Sequence, residues 1–299
     1  MAADTAWDPD LLVQVESLEW QSQLLMQGFL QGLHRSPLHG FSAEFAQYRQ
    51  YQPGDELRRL DWRAYARLDR LYVREFEAET NLRCQLVVDA SGSMDYRSDR
   101  SRFRKYDYAA MLAAAAARLL LRQRDAFGLT VLQEEGAAEH LPPRLTQAHF
   151  FRCLTLLETT RPAGASSLEA SLEPLLGTLA RRGLVLIFTD GLDEPERIER
   201  TLDRLVFERH EVCLFQIFDP VELDFQFADS EVFEDLETGA RLPVVPEWAR
   251  ATYLDNLARH QDRVRRHCLD VGVVHQVITT DQPPFDALAT FLGERERMQ

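Results

Sequence analysis

Two apolar runs in this chain of 299 residues each end in an aspartate with small polar residues beside it. The run at residues 86–88 is followed by Asp89, Ser91 and Ser93, and the run at residues 184–188 is followed by Thr189 and Asp190. Carboxylate and hydroxyl oxygens suit a six-coordinate Mg²⁺ or Mn²⁺, whereas zinc prefers nitrogen and sulfur ligands. The pattern therefore predicts a magnesium or manganese site.

The spacing of Asp89, Ser91 and Ser93 lets one tight loop direct three oxygens toward a common centre. Asp190 would lie across the site and bind the metal directly or through water. Such a site leaves at least one coordination position to water, and an incoming Glu or Asp of a partner protein can replace that water. The alternative for Asp89 is structural, because an Asp before Ser-Gly-Ser also forms Asx-turns or caps a helix.

The rest of the chain alternates apolar runs with amphipathic stretches, which is typical of a mostly parallel sheet. We predict strands at residues 84–88, 126–132, 184–188, 211–218 and 271–278. We predict helices at residues 106–122, 147–158, 168–180, 195–208, 247–269 and 285–292. The predicted fold class is α/β, with a doubly wound central sheet covered by helices on both faces. Polar groups that follow strands of such a sheet meet at one edge, where ligands bind.

The N-terminal quarter has a different pattern. Apolar residues at helical spacing predict a helix over residues 11–33, and residues 35–80 mix turn residues, charges and aromatic rings. We therefore expect residues 1–80 to form an extension packed on a main domain at residues 81–299.

The Asp89-Ala90-Ser91-Gly92-Ser93 segment resembles the DxSxS motif of the metal-ion-dependent adhesion site in von Willebrand factor A domains. The Thr189-Asp190-Gly191 segment resembles the later TDG loop of the same domains. In that family a Thr from an intervening loop completes the site. The resemblance places Ser166 at the Thr position, with Ser167 as the alternative after a slip of one residue.

Several blocks upstream of the first Asp resemble the MoxR-associated family with A-like domains, catalogued as domain of unknown function fifty-eight. The blocks are Arg35-Ser36-Pro37, Glu44-Phe45, Arg49-Gln50-Tyr51-Gln52-Pro53-Gly54-Asp55, Arg58-Arg59-Leu60-Asp61-Trp62 and Ala66-Arg67. With Thr279-Thr280-Asp281-Gln282-Pro283, the resemblance covers nearly the whole chain. It implies cooperation with a MoxR-type AAA+ ATPase in the assembly or maturation of other proteins.

The enzyme classes that share parts of this pattern lack a key residue here. A haloacid-dehalogenase-like phosphotransferase needs a second Asp where this chain has Ser91, and a serine hydrolase needs a Gly-x-Ser-x-Gly elbow with a later His. The chain also has no phosphate-binding Gly-x-x-x-x-Gly-Lys motif. We therefore expect a binding module rather than an enzyme, with a metal-dependent hydrolase or phosphatase that uses Asp89 as the alternative.

Charge and cysteine usage narrow the function further. The formal net charge of −14 disfavours nucleic-acid binding, and four widely spaced cysteines without a CxxC pair indicate reduced thiols in a cytoplasmic protein. The acidic run at residues 219–237 predicts a solvated hairpin edge, with partner binding as the alternative. Lys105 is the only lysine, which we attribute to genomic base composition. The most apolar stretch, residues 109–121, is too short to span a bilayer and predicts a buried helix.

Overall fold

The computed structural model describes most of the chain after residue 81 and short parts before it. The described residues are 17–33, 48–50, 72–74, 82–133, 138–176, 179, 182–227, 232–284, 286–287 and 290. The predicted start of the N-terminal helix, most of residues 35–80 and most of the predicted terminal helix lie outside these residues.

Six strands form the central sheet, and five of them are parallel to one another. In chain order they are β3 (Arg83–Asp89), β4 (Ala126–Leu132), β5 (Ala138–Arg144), β6 (Leu184–Thr189), β7 (Glu211–Phe218) and β10 (Val274–Thr279). Their order across the sheet is β10-β7-β6-β3-β4-β5, with β5 antiparallel to β4 at one edge. The predicted α/β class with a mostly parallel, doubly wound sheet is confirmed.

The strand order reverses between β3 and β6, because the chain leaves β3 toward β4 and later returns to the other side of β3 at β6. Loops that leave two such strands diverge to opposite faces of the sheet and open a crevice between their carboxyl ends. The two aspartates singled out in the sequence, Asp89 and Asp190, are at this point.

Helices cover both faces of the sheet. In chain order they are α1 (Leu18–Leu33), α2 (Lys105–Arg122), α3 (Gln147–Thr159), α4 (Leu168–Leu176), α5 (Pro195–Phe207), α6 (Pro220–Asp224) and α7 (Pro246–Val271). On one face, side chains of α4, α5 and α7 form an aliphatic core with the sheet, represented by Leu172, Leu202, Val264 and Ile187.

On the other face, α2 packs against the sheet and also contacts α1 and α3. The prediction of a buried helix at residues 109–121 is confirmed, because a run of alanines from Ala113 to Ala117 is buried in α2. Arg118 of α2 donates hydrogen bonds to the Ser22 hydroxyl and to the Glu19 carbonyl of α1, both at 2.9 Å, and so ties α1 to this face.

The chain divides into two compact units. One unit comprises Met1–Ser36 and Leu82–Gln299, and the other comprises Pro37–Asn81. In the smaller unit, β1 (Tyr48–Gln50) pairs with β2 (Tyr72–Arg74) in antiparallel register. The expected packing of residues 1–80 as one extension remains a prediction.

Some predicted boundaries are wrong for identifiable reasons. Helix α7 continues to Val271 and ends at Gly272, whose φ of 75° gives the left-handed cap that glycine favours, so β10 begins only at Val274. Strand β5 was not predicted, because Pro142 and Pro143 interrupt its pattern; proline is tolerated there since the strand lies at a sheet edge.

All four cysteines are free and buried, as expected for reduced thiols. Within the described part of the chain, no helix is long and apolar enough to cross a membrane.

Candidate metal centre

The parallel register of β3 and β6 brings the first two residues of the site, Asp89 and Thr189, together. Val88 pairs with Phe188 in the parallel ladder, so Asp89 and Thr189 follow at the same level. The Thr189 hydroxyl donates a 2.7 Å hydrogen bond to Asp89 Oδ2. One oxygen of the buried Asp89 carboxylate is therefore held by the neighbouring strand.

The loop after β3 forms a short 3₁₀ turn, Gly92–Asp95, and directs hydroxyls toward Asp89. The Ser91 amide donates to Asp89 Oδ1 at 2.9 Å, which is the Asx-turn considered from the sequence. Asp89 does not cap the next helix, since α2 begins only at Lys105. The Ser91 and Ser93 hydroxyl oxygens lie 3.0 Å apart, so both are available on the same side of the turn.

A third loop supplies Ser166. Backbone hydrogen bonds from Gly92 N to the Gly164 carbonyl and from Ala163 N to the Ala90 carbonyl hold this loop against the turn after β3. The Ser166 hydroxyl then donates to Asp89 Oδ1 at 2.8 Å. The neighbouring Ser167 hydroxyl instead donates to Asp193 at 3.0 Å. Of the two serines left open by the sequence, Ser166 is the one at Asp89.

Asp190 is bound by a buried ammonium group. Lys105, the first residue of α2, is fully buried, and its Nζ lies 2.9 Å from Asp190 Oδ2 and 2.6 Å from Glu222 Oε1. A buried lysine requires such partners, because an isolated charge is very costly away from water. Because we attributed this single lysine to genomic base composition, we did not predict that it lies in the site.

Glu222 belongs to the acidic run that the sequence assigned to a solvated edge, and that prediction is wrong for its first part. Asp219 and Glu222 form the capping box of α6, with a 2.7 Å bond from Asp219 N to Glu222 Oε2. Asp219 is fully buried and also accepts hydrogen bonds from the Ser98 amide and hydroxyl. These carboxylates therefore join α6 to the loop before α2.

The two aspartates have opposite electrostatic environments. Burial, together with repulsion from Asp190, raises the pKa of Asp89, although hydrogen bonds from Thr189, Ser91 and Ser166 oppose the rise. Burial also disfavours the charged form of Asp190, but the Lys105 ammonium and hydrogen bonds outweigh burial and lower the pKa of Asp190. Only Asp190 has a built-in cation.

The donor set fits a hard divalent cation. Four carboxylates, those of Asp89, Asp190, Glu222 and Glu237, lie in or beside the site, and Lys105 is the one basic residue among the described residues that is paired with any of them there. Among the residues that the structure describes, no group of three or more His, Cys, Asp and Glu side chains has the arrangement of a metal site. A metal here would therefore rely on the serine hydroxyls as well as on carboxylates, as Mg²⁺ allows and zinc does not.

All five residues predicted as ligands, Asp89, Ser91, Ser93, Ser166 and Asp190, lie together at this edge of the sheet; their role as metal ligands remains a prediction. Sequence reasoning missed Lys105, Glu222 and Glu237 as neighbours of the site. The available indications were the solitary lysine and the Asp219-Pro220-Val221-Glu222 capping pattern, which marks a helix start.

The sequence of this chain matches a known protein family. The family model described as "Protein of unknown function DUF58" matches residues 47–263. Uncharacterized proteins of Mycobacterium bovis and Mycobacterium tuberculosis are 31% identical to this chain, over 97% of it and 91% of their own length.

Solved structures with lower similarity were also found. The conserved hypothetical protein BatB from Bacteroides thetaiotaomicron is 12% identical, with a TM-score of 0.43 over 72% of this chain and 99% of its own. The SpRpn10 VWA domain is 8% identical, with a TM-score of 0.40 over 69% of this chain and 93% of its own.

Proposed function

We propose that this chain, which belongs to the family of unknown function DUF58, is a non-enzymatic module that binds a protein partner through a divalent metal. The metal is Mg²⁺ or Mn²⁺, and the ligand set is Asp89, Ser91, Ser93, Ser166 and Asp190. The partner presents a carboxylate. It is a MoxR-type AAA+ ATPase or a client of that ATPase, in the cytoplasm, and the process is the assembly or maturation of other proteins.

One observation carries the proposal. The Ser166 and Thr189 hydroxyls and the Ser91 amide, from three separate segments, donate hydrogen bonds to the buried Asp89 carboxylate, and in the described part of the chain no basic side chain is paired with it. Such an arrangement concentrates negative charge and oxygen lone pairs without neutralising them. A divalent cation would supply the missing positive charge and offer an open coordination position to a carboxylate ligand.

The residues of the site would contribute to metal binding in different ways. Asp89, Ser91 and Ser93 would hold the cation from one side, and Ser166 would complete the set from the neighbouring loop. Asp190 is already engaged by Lys105, so its most direct contribution is a second negative charge or a bond to metal-bound water. Lys105 and Glu222 position Asp190 and contact no partner in this scheme.

The identity of the partner class rests on two supports. A site with an open position on a hard cation selects oxygen anions, of which Glu and Asp carboxylates are the ones that proteins present. The MoxR-type ATPase rests on the resemblance of the sequence blocks described above. The net charge of −14 disfavours phosphate backbones as ligands, so nucleic acid is not part of the proposal.

A metal-dependent hydrolase or phosphatase with Asp89 as nucleophile is the alternative, and the geometry disfavours it. Asp89 Oδ1 accepts bonds from Ser91 N and the Ser166 hydroxyl, and Oδ2 accepts one from Thr189. A nucleophilic carboxylate needs an oxygen directed at its substrate. Hydrolysis of p-nitrophenyl phosphate that Asp89→Asn abolishes would establish the alternative.

Thermal unfolding after chelation and metal titration tests the metal site. A cation that binds only the folded state at 100 times its dissociation constant adds about 2.7 kcal/mol of stability, or roughly 5–10 °C for a unit of this size. We expect Mg²⁺ and Mn²⁺ to raise the melting temperature of the wild type and not of Asp89→Ala.

Ser166 and Ser167 provide a matched pair of controls for the same titration. Ser166→Ala removes a hydroxyl at Asp89 and should reduce the metal-induced rise, whereas Ser167→Ala removes one that binds Asp193 and should leave the rise unchanged. No rise in the wild type at millimolar metal would refute the metal site, and equal losses in the two variants would refute the assignment of Ser166.

Capture of a MoxR-type ATPase by immobilised protein tests the partner. In the presence of Mg²⁺ we expect Asp89→Ala to weaken capture by about tenfold, the order of one lost strong contact. Capture that is equal for the wild type and Asp89→Ala, or insensitive to chelation, would refute the metal bridge.

A further inference from the structure

The hairpin formed by β8 (Val232–Glu234) and β9 (Arg241–Pro243) ends in a tightly built tip. Asp235 organises the tip: its carboxylate accepts the Glu237 amide at 2.9 Å and the Thr238 hydroxyl at 2.6 Å, and its carbonyl accepts Gly239 N at 2.7 Å. Gly239 has a φ of 70°, which closes the turn in a conformation that glycine favours. The Glu237 side chain is therefore presented from a fixed turn.

This tip lies directly on the loop that carries the candidate metal ligands. A Cβ at Gly92 would lie 2.2 Å from the Leu236 carbonyl oxygen and 3.2 Å from Glu237 Cα. Gly92 is the residue between Ser91 and Ser93. Only the absence of a side chain at residue 92 allows the hairpin backbone to come this close to the site.

Glu237 faces the site rather than solvent. From residue 232 to residue 243, Phe233 and Glu237 are the two residues that are half-buried, and the others are exposed. Phe233 stacks on Phe225, with ring centroids 5.9 Å apart, and so anchors the base of the hairpin. The Ser93 hydroxyl is near enough to both the Glu237 and the Asp190 carboxylates to favour their charged forms. Glu237 is thus the hairpin side chain that lies beside the loop carrying Ser91 and Ser93.

Two carboxylates of the site act on Glu237. Asp190 and Asp89 are near enough to repel the Glu237 side chain, which is half-buried against the loop after β3. Among the described residues, the groups that act most strongly on Glu237 include no basic side chain, whereas the Lys105 ammonium contacts Asp190. A cation bound between Glu237 and the two aspartates would replace their mutual repulsion by attraction to the metal, after a small movement of the side chains.

We propose that Glu237 is an intramolecular ligand of the metal site and occupies the position that a partner's carboxylate takes. The hairpin tip and the partner then compete for one coordination position, and the partner binds only when the tip moves off Gly92. This inference rests on the proposed function, because it assigns the regulation of the same site.

Mn²⁺ binding with acetate as the competing carboxylate tests the inference. Electron paramagnetic resonance of free Mn²⁺ gives the metal affinity, and water-proton relaxation reports exchangeable water on the bound ion. Glu237→Gln keeps the size of the side chain and removes its charge. We expect it to bind Mn²⁺ about five- to tenfold more weakly, to show higher relaxivity, and to respond to acetate at about tenfold lower concentration than the wild type.

Two further variants complete the design. Glu247→Gln removes the same charge from an exposed position in the first turn of α7 and should behave as the wild type. Gly92→Ala changes no carboxylate but forces the tip, and Glu237 with it, away from the loop, so it should raise relaxivity and acetate response as Glu237→Gln does.

The outcomes separate the two proposals. Mn²⁺ binding that depends on Asp89 but is identical in wild type and Glu237→Gln, with the same relaxivity and acetate response, would overturn the intramolecular ligand and leave the metal site standing. Absence of Mn²⁺ binding in the wild type and in all variants would overturn the proposed function, and the competition with it.

Discussion

The ends of β3 and β6 look alike in sequence and differ in charge environment. Each is a buried apolar strand that ends next to an aspartate, and the two strands are neighbours in the sheet. Asp190 is bound by the ammonium of Lys105, whereas Asp89 is surrounded by hydroxyls and a backbone amide. The same local motif therefore yields one carboxylate that is paired with an ammonium group and one that, among the described residues, has only hydroxyl and amide partners.

The difference separates the residues that we propose to bind metal from the residues that hold them in position. Around Asp190, a second set of contacts fixes the backbone: Gln216 donates to the Asp190 carbonyl at 3.3 Å, and His260 Nε2 lies 2.7 Å from the Gly191 carbonyl oxygen. The aspartate after β6 is thus held by an ion pair and by backbone contacts, whereas the aspartate at the end of β3 is held by hydrogen bonds from uncharged donors. Three predictions test this contrast.

Replacement of Lys105, the buried cation of the site, should change the free energy of unfolding the most. Lys105→Met leaves Asp190 and Glu222 as buried carboxylates without their partner, which typically costs about 3–5 kcal/mol. Urea unfolding in the presence of a chelator measures the free energy of unfolding.

An exposed ion pair provides the control for Lys105→Met. Arg200→Met breaks the exposed pair with Glu169 and should cost far less, because water screens that pair. A loss no larger for Lys105→Met than for Arg200→Met would show that Lys105 does not distinguish the two strand ends.

Acid should lower the free energy of unfolding through His275, which hydrogen-bonds the Gln216 side chain that contacts the Asp190 carbonyl. His275 Nε2 donates a 2.7 Å bond to Gln216 Oε1, and burial, with a smaller effect of Arg265, lowers the pKa of His275 to about 4. Since the unfolded chain binds this proton near pH 6.5, the stability from His275 is full above pH 6.5 and falls as the pH drops toward 4.

The size of the His275 effect is up to about 3 kcal/mol over that range. His275→Gln retains a donor for Gln216 and removes the titration. We expect a shallower decline of the free energy of unfolding between pH 6.5 and pH 4 than in the wild type. Identical slopes for the two proteins would contradict the role of His275.

Replacing Asp190 or Asp89 by asparagine in the metal-free protein should change the free energy of unfolding by different amounts. Asp190→Asn removes a charged partner of buried Lys105 and should cost about 2 kcal/mol. Asp89→Asn removes a charge that burial and Asp190 disfavour, so the free energy of unfolding should stay within about 0.5 kcal/mol or rise. Chemical unfolding with a chelator present compares them, and equal losses would remove the contrast.

Much of the candidate site could be predicted from local sequence. The hydrophobic runs placed Asp89 and Asp190 after neighbouring strands, because side-chain polarity alone distinguishes a buried strand from the loop that follows it. The choice between Ser166 and Ser167 could not be predicted, since both hydroxyls precede α4 at nearly the same place. It depends on the two backbone hydrogen bonds that orient the loop, from Gly92 N to the Gly164 carbonyl and from Ala163 N to the Ala90 carbonyl.

The sequence by itself determined the fold class, most of the sheet and the oxygen-rich chemistry of the site, because apolar periodicity and residue type are local properties. Only the tertiary structure decided which carboxylate is neutralised and which is not. Lys105 and Asp190 are 85 residues apart, and the tip of a separate hairpin brings Glu237 to Gly92. Charge balance in a buried site depends on distances across the whole fold, and those distances follow from packing rather than from spacing along the chain.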